Sequence, residues 1–267
     1  MKMIVARRIF ASTLVAMTVA LLCGCNTVPV TGRKQLNIMP VGEEMQLGLT
    51  SFDKLKKETP VSKDAAANAL VQKVGKRLAA IADPDMPKAQ WEFVVFESKE
   101  ANAFCLPGGK VGVYTGILPI TKDEAGLATV LGHEIAHAVA RHGGERMTTA
   151  MGMQLGGQAA GAMLSSADPR VQSLSLLVYG VASKVGVELP YSRLQESEAD
   201  HIGVIYMARG GYDPEASVAF WERFAAFNQQ QGGQTPAFLR THPTDATRIQ
   251  QLKEWLPNAK AQFHPAP

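Results

Sequence analysis

His133-Glu134-Ile135-Ala136-His137 is the stretch on which the reading of the chain turns, and it lies in the run 121–142. Residues four apart on an α-helix project from one face about one turn above each other, so His133 and His137 can reach one metal ion together. Glu134 then stands beside that ion. Two neutral imidazoles around Zn²⁺ with an adjacent carboxylate form the core of metal-assisted peptide hydrolysis. The helix is expected on independent grounds. Thr121 with Glu124 is a capping-box pattern, Leu127, Val130, Leu131 and Ile135 supply an apolar stripe, and Gly143-Gly144 offers a stop.

A catalytic zinc site needs a third protein ligand and a vertex left open. Glu196-Ser197-Glu198-Ala199-Asp200 follows Pro190 in a helical pattern. Glu196 and Asp200 share a helical face, whereas Glu198 points about 200° away. Glu196 can therefore ligate zinc while Asp200 accepts a hydrogen bond from the outer nitrogen of a ligating histidine. Metzincin spacing is excluded, because it requires glycine at position 140 and histidine at 143, where this chain has Ala140 and Gly143. His142 sits about 180° around the helix from His133, so it does not fit as a ligand. His201, about 140° from Glu196, reads as a local structural residue.

The chain has 267 residues with 46% hydrophobic content, enough for one sizeable core or for a domain with an appendage. Its formal charge of +3 comes from Lys2, Arg7 and Arg8, the only charges before Cys25; the rest carries 24 basic and 24 acidic residues. A neutral surface gives no electrostatic footprint for nucleic acid. The uncharged apolar run 9–22 has the length of a signal-peptide core. Leu22-Cys23-Gly24-Cys25 resembles the lipobox of bacterial lipoproteins, in which the chain is cut before a cysteine that becomes acylated, here Cys25. An ordinary secretory signal or short anchor is the other reading. Asn26 follows Cys25 where an aspartate would suggest inner-membrane retention, which favours the periplasmic face of the outer membrane by analogy. The expected organisation is a signal peptide over 1–24, a polar tether over 25–40, a metallopeptidase domain over 41–258 and a tail over 259–267. Cys105 has no internal partner and reads as a small buried residue, an inhibitory thiol ligand being the alternative.

The fold class expected is α+β, mainly helical, with a small β-sheet beside the motif helix. Helices are predicted over 43–57, 62–82, 191–209, 213–227 and 244–255, and strands over 91–96 and 111–114 with Pro107-Gly108-Gly109 as the turn between them. Residues 229–234 read as a mobile loop. Residues 147–167 are uncharged and carry Gly152, Gly156, Gly157 and Gly161. Membrane insertion is conceivable there, but Gln154, Gln158, Ser165 and Ser166 favour a buried or surface-lying helical hairpin with the apolar segment 171–187.

The run Ala-Thr-Val-Leu-Gly-His-Glu-Ile-Ala-His over 128–137 combines with Glu196 and Asp200, with Asn102-Ala103-Phe104 and Pro107-Gly108-Gly109, and with Thr241-His242-Pro243 and Arg248-Ile249. Together these resemble the CAAX prenyl protease-like zinc metallopeptidases of the HtpX, LoiP and BepA type, gluzincins, most closely their periplasmic lipoprotein branch. The likeness spans nearly all of the chain after Cys25. It implies that His133, His137 and Glu196 bind one Zn²⁺ and that Glu134 is the general base and acid. It places His242 near the metal, stabilising an oxyanion or capping the zinc at rest, with Arg248 as a supporting partner; spacing alone would leave His242 a loop residue. No tetratricopeptide repeat, which the BepA type carries, is visible in this sequence, so docking through such repeats is not implied.

On this reading Asn102, Ala103 and Phe104 form an edge strand that pairs with an extended substrate by β-augmentation. Backbone pairing suits unfolded or misassembled envelope proteins as substrates, with the outer-membrane assembly machinery as a possible partner and lipid on Cys25 as the membrane anchor. A zinc-stabilised chaperone that rarely cuts its clients is the alternative from another class.

Overall fold

The computed structural model describes residues 25–166, 168–230, 235–243 and 246–265. The expected signal peptide, 1–24, lies outside the described residues, as do 231–234 of the expected loop and the first residues of the expected last helix, 244–245.

Strands β1 (Cys25–Thr27) and β2 (Lys34–Leu36) pair antiparallel. The segment expected to be a free tether is thus packed on the domain. Arg33 bonds Glu145 and Glu198, the Gln35 amide donates to the Ala140 carbonyl, and Val28 and Asn37 are buried. Composition suggested a solvated linker because its polar residues look unpartnered until their distant carboxylates are in view.

Helices α1 (Val41–Glu58) and α2 (Ala65–Ala82) follow, the second capped by Asp64, whose carboxylate accepts from the backbone of Ala66 and Ala67. Its Val71, Val74 and Leu78 enter the core. Three strands come next, β3 (Glu92–Phe96), β4 (Ala103–Leu106) and β5 (Lys110–Tyr114). Their order is β3-β5-β4, with β3 parallel and β4 antiparallel to β5. The Pro107-Gly108-Gly109 turn therefore joins β4 to β5, not the two strands expected from pattern. Gly108 and Gly109 both take positive φ there, +84° and +80°.

The motif helix, α3 (Glu124–Val139), is buried from Gly126 to Val139. Its cap is Asp123, which accepts from the Gly126 amide, and not Thr121. Thr121 closes a short helical turn, Leu118–Thr121, and Lys122 at φ 71° swings the chain so that Asp123 takes the cap. The helix stops at Arg141, which adopts the left-handed conformation at φ 55°, so Gly143 and Gly144 fall inside α4 (His142–Met163). Arg141 holds that position through bonds to the Glu44 carboxylate and the Met39 carbonyl.

Helices α4 and α5 (Pro169–Ser183) form the expected hairpin, with Met151, Leu155, Met163, Leu174 and Leu177 exposed on it. Among the described residues no helix is long and apolar enough to cross a membrane. A π-helical turn, Lys184–Glu188, leads directly into α6 (Leu189–Arg209), which has Pro190 in its first turn. Helix α7 (Glu215–Gln230), a short turn Ala237–Thr241 and α8 (Ala246–Lys260) complete the chain. The last helix runs past its expected end despite Pro257, and Ala259 and Phe263 pack on the core, so the expected tail is docked at least that far. Burial of that apolar face outweighs the helix-breaking proline.

The core is built where α3 crosses α6. A Cβ on Gly132 would lie 2.9 Å from the Gly203 carbonyl oxygen, and one on Gly203 would lie 2.9 Å from the His133 nitrogen. Backbone touches backbone, which brings the two ligand-bearing helices together. Gly203→Ala is therefore expected to cost ~1–3 kcal/mol in urea unfolding through overpacking. Gly152→Ala, where nothing lies within 4 Å of the added carbon, should gain up to ~1 kcal/mol from helix propensity. Equal midpoints for the two variants would contradict the tight crossing.

Candidate metal centre

Helix α3 presents His133 and His137 one turn apart, and α6 presents Glu196 and Asp200 one turn apart toward them. The Nε2 atoms of His133 and His137 lie 3.1 Å from each other. Glu196 straddles them, with Oε2 at 3.3 Å from His133 Nε2 and Oε1 at 3.2 Å from His137 Nε2. His242, just after the Ala237–Thr241 turn, adds Nδ1 at 3.1 Å from His133 Nε2 and 2.8 Å from Glu196 Oε2. One ligating atom from each of these four side chains falls within 4.8 Å of all the others.

The arrangement fits a metal ion. Ligand bonds of ~2.0–2.2 Å in a tetrahedron put neighbouring donor atoms ~3.3 Å apart, close to the spacings observed. Imidazole nitrogens facing one another need either a shared proton or a cation between them. Glu134 points to the same place: its Oε1 is buried with no hydrogen-bond partner among the described residues, and lies 3.4 Å from His242 Nε2.

Charge is arranged accordingly. Burial pushes His137 well below its ordinary pKa, keeping it neutral as a ligand must be. At Glu196 burial opposes ionisation, yet the polar imidazoles around it, His137 first and then His133 and His242, hold the carboxyl well below the usual carboxylate range. Burial pushes Glu134 upward, against the opposing charges of His242 and His133. At His133 burial disfavours the cation, but the Asp200 carboxylate outweighs it and lifts the imidazole to about 9.

The surroundings fix each ligand. Asp200 Oδ1 lies 2.9 Å from His133 Nδ1, and Arg248 grips the same carboxylate with Nε at 2.6 Å and Nη2 at 2.7 Å. The guanidinium stacks over Trp221 at 3.4 Å and donates to the carbonyls of His242 and Pro243, so it also holds the His242 loop. Phe238 packs on the His242 ring and takes the Ala101 carbonyl through its backbone N–H, tying that loop to the segment before β4.

Of the expected substrate strand, Ala103 and Phe104 lie in β4, at the edge of the sheet and beside α3, while Asn102 precedes it and its Oδ1 accepts from the Ala103 amide. The Phe104 ring is turned into an aromatic cluster with Phe52, Phe96 and Tyr114. Cys105 is not among the clustered ligands; burial and then the Glu134 charge push its thiol up, so it stays protonated. His201 stacks on Trp255, a local structural contact as expected. Cys25 is exposed at the start of β1. Spacing excluded His142 as a ligand, and its nitrogen does lie outside the four-residue cluster. It is nonetheless fully buried, with Nδ1 2.8 Å from His137 Nδ1 and Nε2 3.0 Å from Glu198, contacts that helical angles alone could not show.

A helix carrying two histidines and a glutamate, met by a carboxylate from a second helix, defines a metallopeptidase centre of the gluzincin kind. Residues 65–256 match the model of peptidase family M48, and the chain belongs to that family. It is 35% identical over 238 residues to the mitochondrial metalloendopeptidase OMA1 of Schizosaccharomyces pombe, covering 88% of this chain and 67% of that protein. It is 32% identical to the mitochondrial metalloendopeptidase OMA1 of Homo sapiens, covering 86% of this chain and 46% of that one. The β-barrel assembly-enhancing protease of Escherichia coli is 27% identical, over 93% of this chain and 51% of that protein. The chain thus spans from about half to two thirds of these relatives.

The buried Asp200–Arg248 pair yields a prediction. Arg248→Ala leaves a buried carboxylate without its cation and should cost ~3–5 kcal/mol in the unfolding of metal-free protein at neutral pH. Burial works against the Asp200 charge, but Arg248 and His133 hold its pKa below the ordinary value. The stabilisation is therefore complete above ~4, the unfolded aspartate value, and is lost as pH falls through the lower native pKa. The gap between wild type and variant should narrow below pH ~4; a gap that widens there contradicts the assignment.

Proposed function

We propose that the chain is a zinc endopeptidase that cleaves unfolded or misassembled proteins of the cell envelope. The observation that carries this is the convergence of His133, His137 and Glu196 on one point, with the unpartnered Glu134 oxygen beside it. Two imidazoles and a carboxylate are the ligands zinc takes in catalytic sites. Bound there, zinc supplies Lewis acidity toward the scissile carbonyl and toward water. Glu134 takes the proton of the attacking water and returns it to the leaving amine. Asp200 accepts from His133 Nδ1–H and fixes the ring, and Arg248 keeps Asp200 ionised and in place.

His242 would cap the ion in this conformation, because its Nδ1 stands among the ligand atoms, 3.1 Å from His133 Nε2 and 2.8 Å from Glu196 Oε2. The edge of β4, next to α3, offers extended substrate a strand to pair with, and that mode reads backbone before side chain. An outer-membrane setting on the periplasmic side, with lipid on Cys25, is supported by the Leu22-Cys23-Gly24-Cys25 pattern, by the exposure of Cys25 and by the likeness to the Escherichia coli protease named for β-barrel assembly. The capped centre also suits the alternative of a zinc-stabilised chaperone or assembly factor that holds clients and cuts them seldom.

With an unfolded envelope protein as substrate, wild type should give chelator-sensitive fragments, and Glu134→Gln should keep its zinc while cleaving ~10²–10⁴-fold more slowly. His242→Ala should cleave faster than wild type at equal zinc content. Full activity of Glu134→Gln removes the base assignment. Client binding without chelator-sensitive cleavage in any variant, His242→Ala included, would favour the chaperone.

A further inference from the structure

Every ligating imidazole has a second nitrogen whose partner decides which tautomer the ring adopts and how it is aimed. For His133 that partner is the carboxylate of Asp200. His137 has no carboxylate there. Its Nδ1 meets Nδ1 of His142 at 2.8 Å, and His142 Nε2 lies 3.0 Å from Glu198 Oε2. Glu198 in turn accepts from Arg33 Nε at 2.7 Å and from the Thr31 hydroxyl. Arg33 also grips Glu145 through both terminal nitrogens, at 2.7 and 2.8 Å. Both His142 and Glu145 are fully buried.

The proton positions along this row follow by elimination. A His137 that ligates through Nε2 carries its proton on Nδ1, which must donate. The atom it faces must then be a lone pair, so His142 is neutral with its proton on Nε2. That proton is directed at Glu198, which as a carboxylate can only accept. Each group has one state compatible with its neighbours.

We infer that His142 is a positioning residue that fixes the tautomer and orientation of His137, backed by Glu198 and anchored by Arg33 of the β1–β2 segment. The inference rests on the zinc-site reading above. It makes residues 31–33 part of the support of the centre, although they precede the family-matched region, 65–256. It also gives Glu198 a role distinct from that of Glu196 two residues earlier: one acid faces the ion, the other steadies the far side of a ligand.

Two measurements on the full chain test it, with Zn²⁺ alone as the probe. Long-range ¹H–¹⁵N spectra of zinc-loaded wild type should show His137 protonated on Nδ1 and His142 protonated on Nε2; a His142 carrying its proton on Nδ1 overturns the inference without any variant. Competition with a chromophoric chelator should show His142→Phe holding zinc ~10–100-fold more weakly than wild type, as loss of an outer partner does elsewhere. His142→Gln, whose oxygen can accept and whose amide can donate, should recover most of that affinity. Phe and wild-type affinities that coincide, or a Gln variant no better than Phe, reject the role. A wild type that takes no zinc, or in which His137 Nε2 is not a ligand, overturns the site reading and not the positioning role of His142.

Discussion

The contact of Gly132 with Gly203 sets the distance between α3 and α6, and the chemistry of the chain depends on that distance. A methyl group on either residue would meet backbone 2.9 Å away, so the helices pack as closely as two main chains can. At that separation side chains reaching from α6 arrive at Nε2 and at Nδ1 of the same imidazole: Glu196 on the inner side, Asp200 on the outer. Helices fixed on either side of a buried crossing give the ligand atoms little freedom to relax away from one another, which is what a preorganised cation site requires.

Concentrating ionisable groups in a buried crossing is costly unless each is compensated. The compensation is built in layers. Arg248 faces Asp200, Arg33 faces both Glu145 and Glu198, and Arg141 faces Glu44. These arginines come from the last helix, from the β1–β2 segment and from the end of the motif helix, so distant parts of the chain are tied to the two ligand-bearing helices and their neighbours. The same network explains why a stretch with the composition of a linker is held against the domain.

Much of the site was legible from spacing, because helical periodicity converts sequence offsets into directions. An offset of four put His133 with His137 and Glu196 with Asp200, and two residues' displacement turned Glu198 away. What spacing could not supply was the object each side chain meets. Glu198 faces away from Glu196, as an offset of two implies, but its partners Arg33 and His142 lie far from it along the chain, and His142, which spacing excludes as a ligand, lies against His137 instead. The fold was legible where periodicity was long, as in α1 and α2. It was misread where local signals competed: Asp123 took the cap that Thr121 was expected to fill, Arg141 took the left-handed stop in place of a glycine, and β4 was expected at the site but not as the strand that meets the turn. Burial of Leu252 and Ala259, on either side of Pro257, holds the last helix through the proline.

The central claim is that this crossing binds one zinc ion through nitrogen and oxygen from two helices. X-ray absorption at the zinc edge on the purified full chain tests it most directly. The account predicts about one zinc per chain in a nitrogen and oxygen environment, with the multiple-scattering signature of at least two imidazoles and no sulfur neighbour. A sulfur ligand, or zinc without histidine scattering, would contradict it.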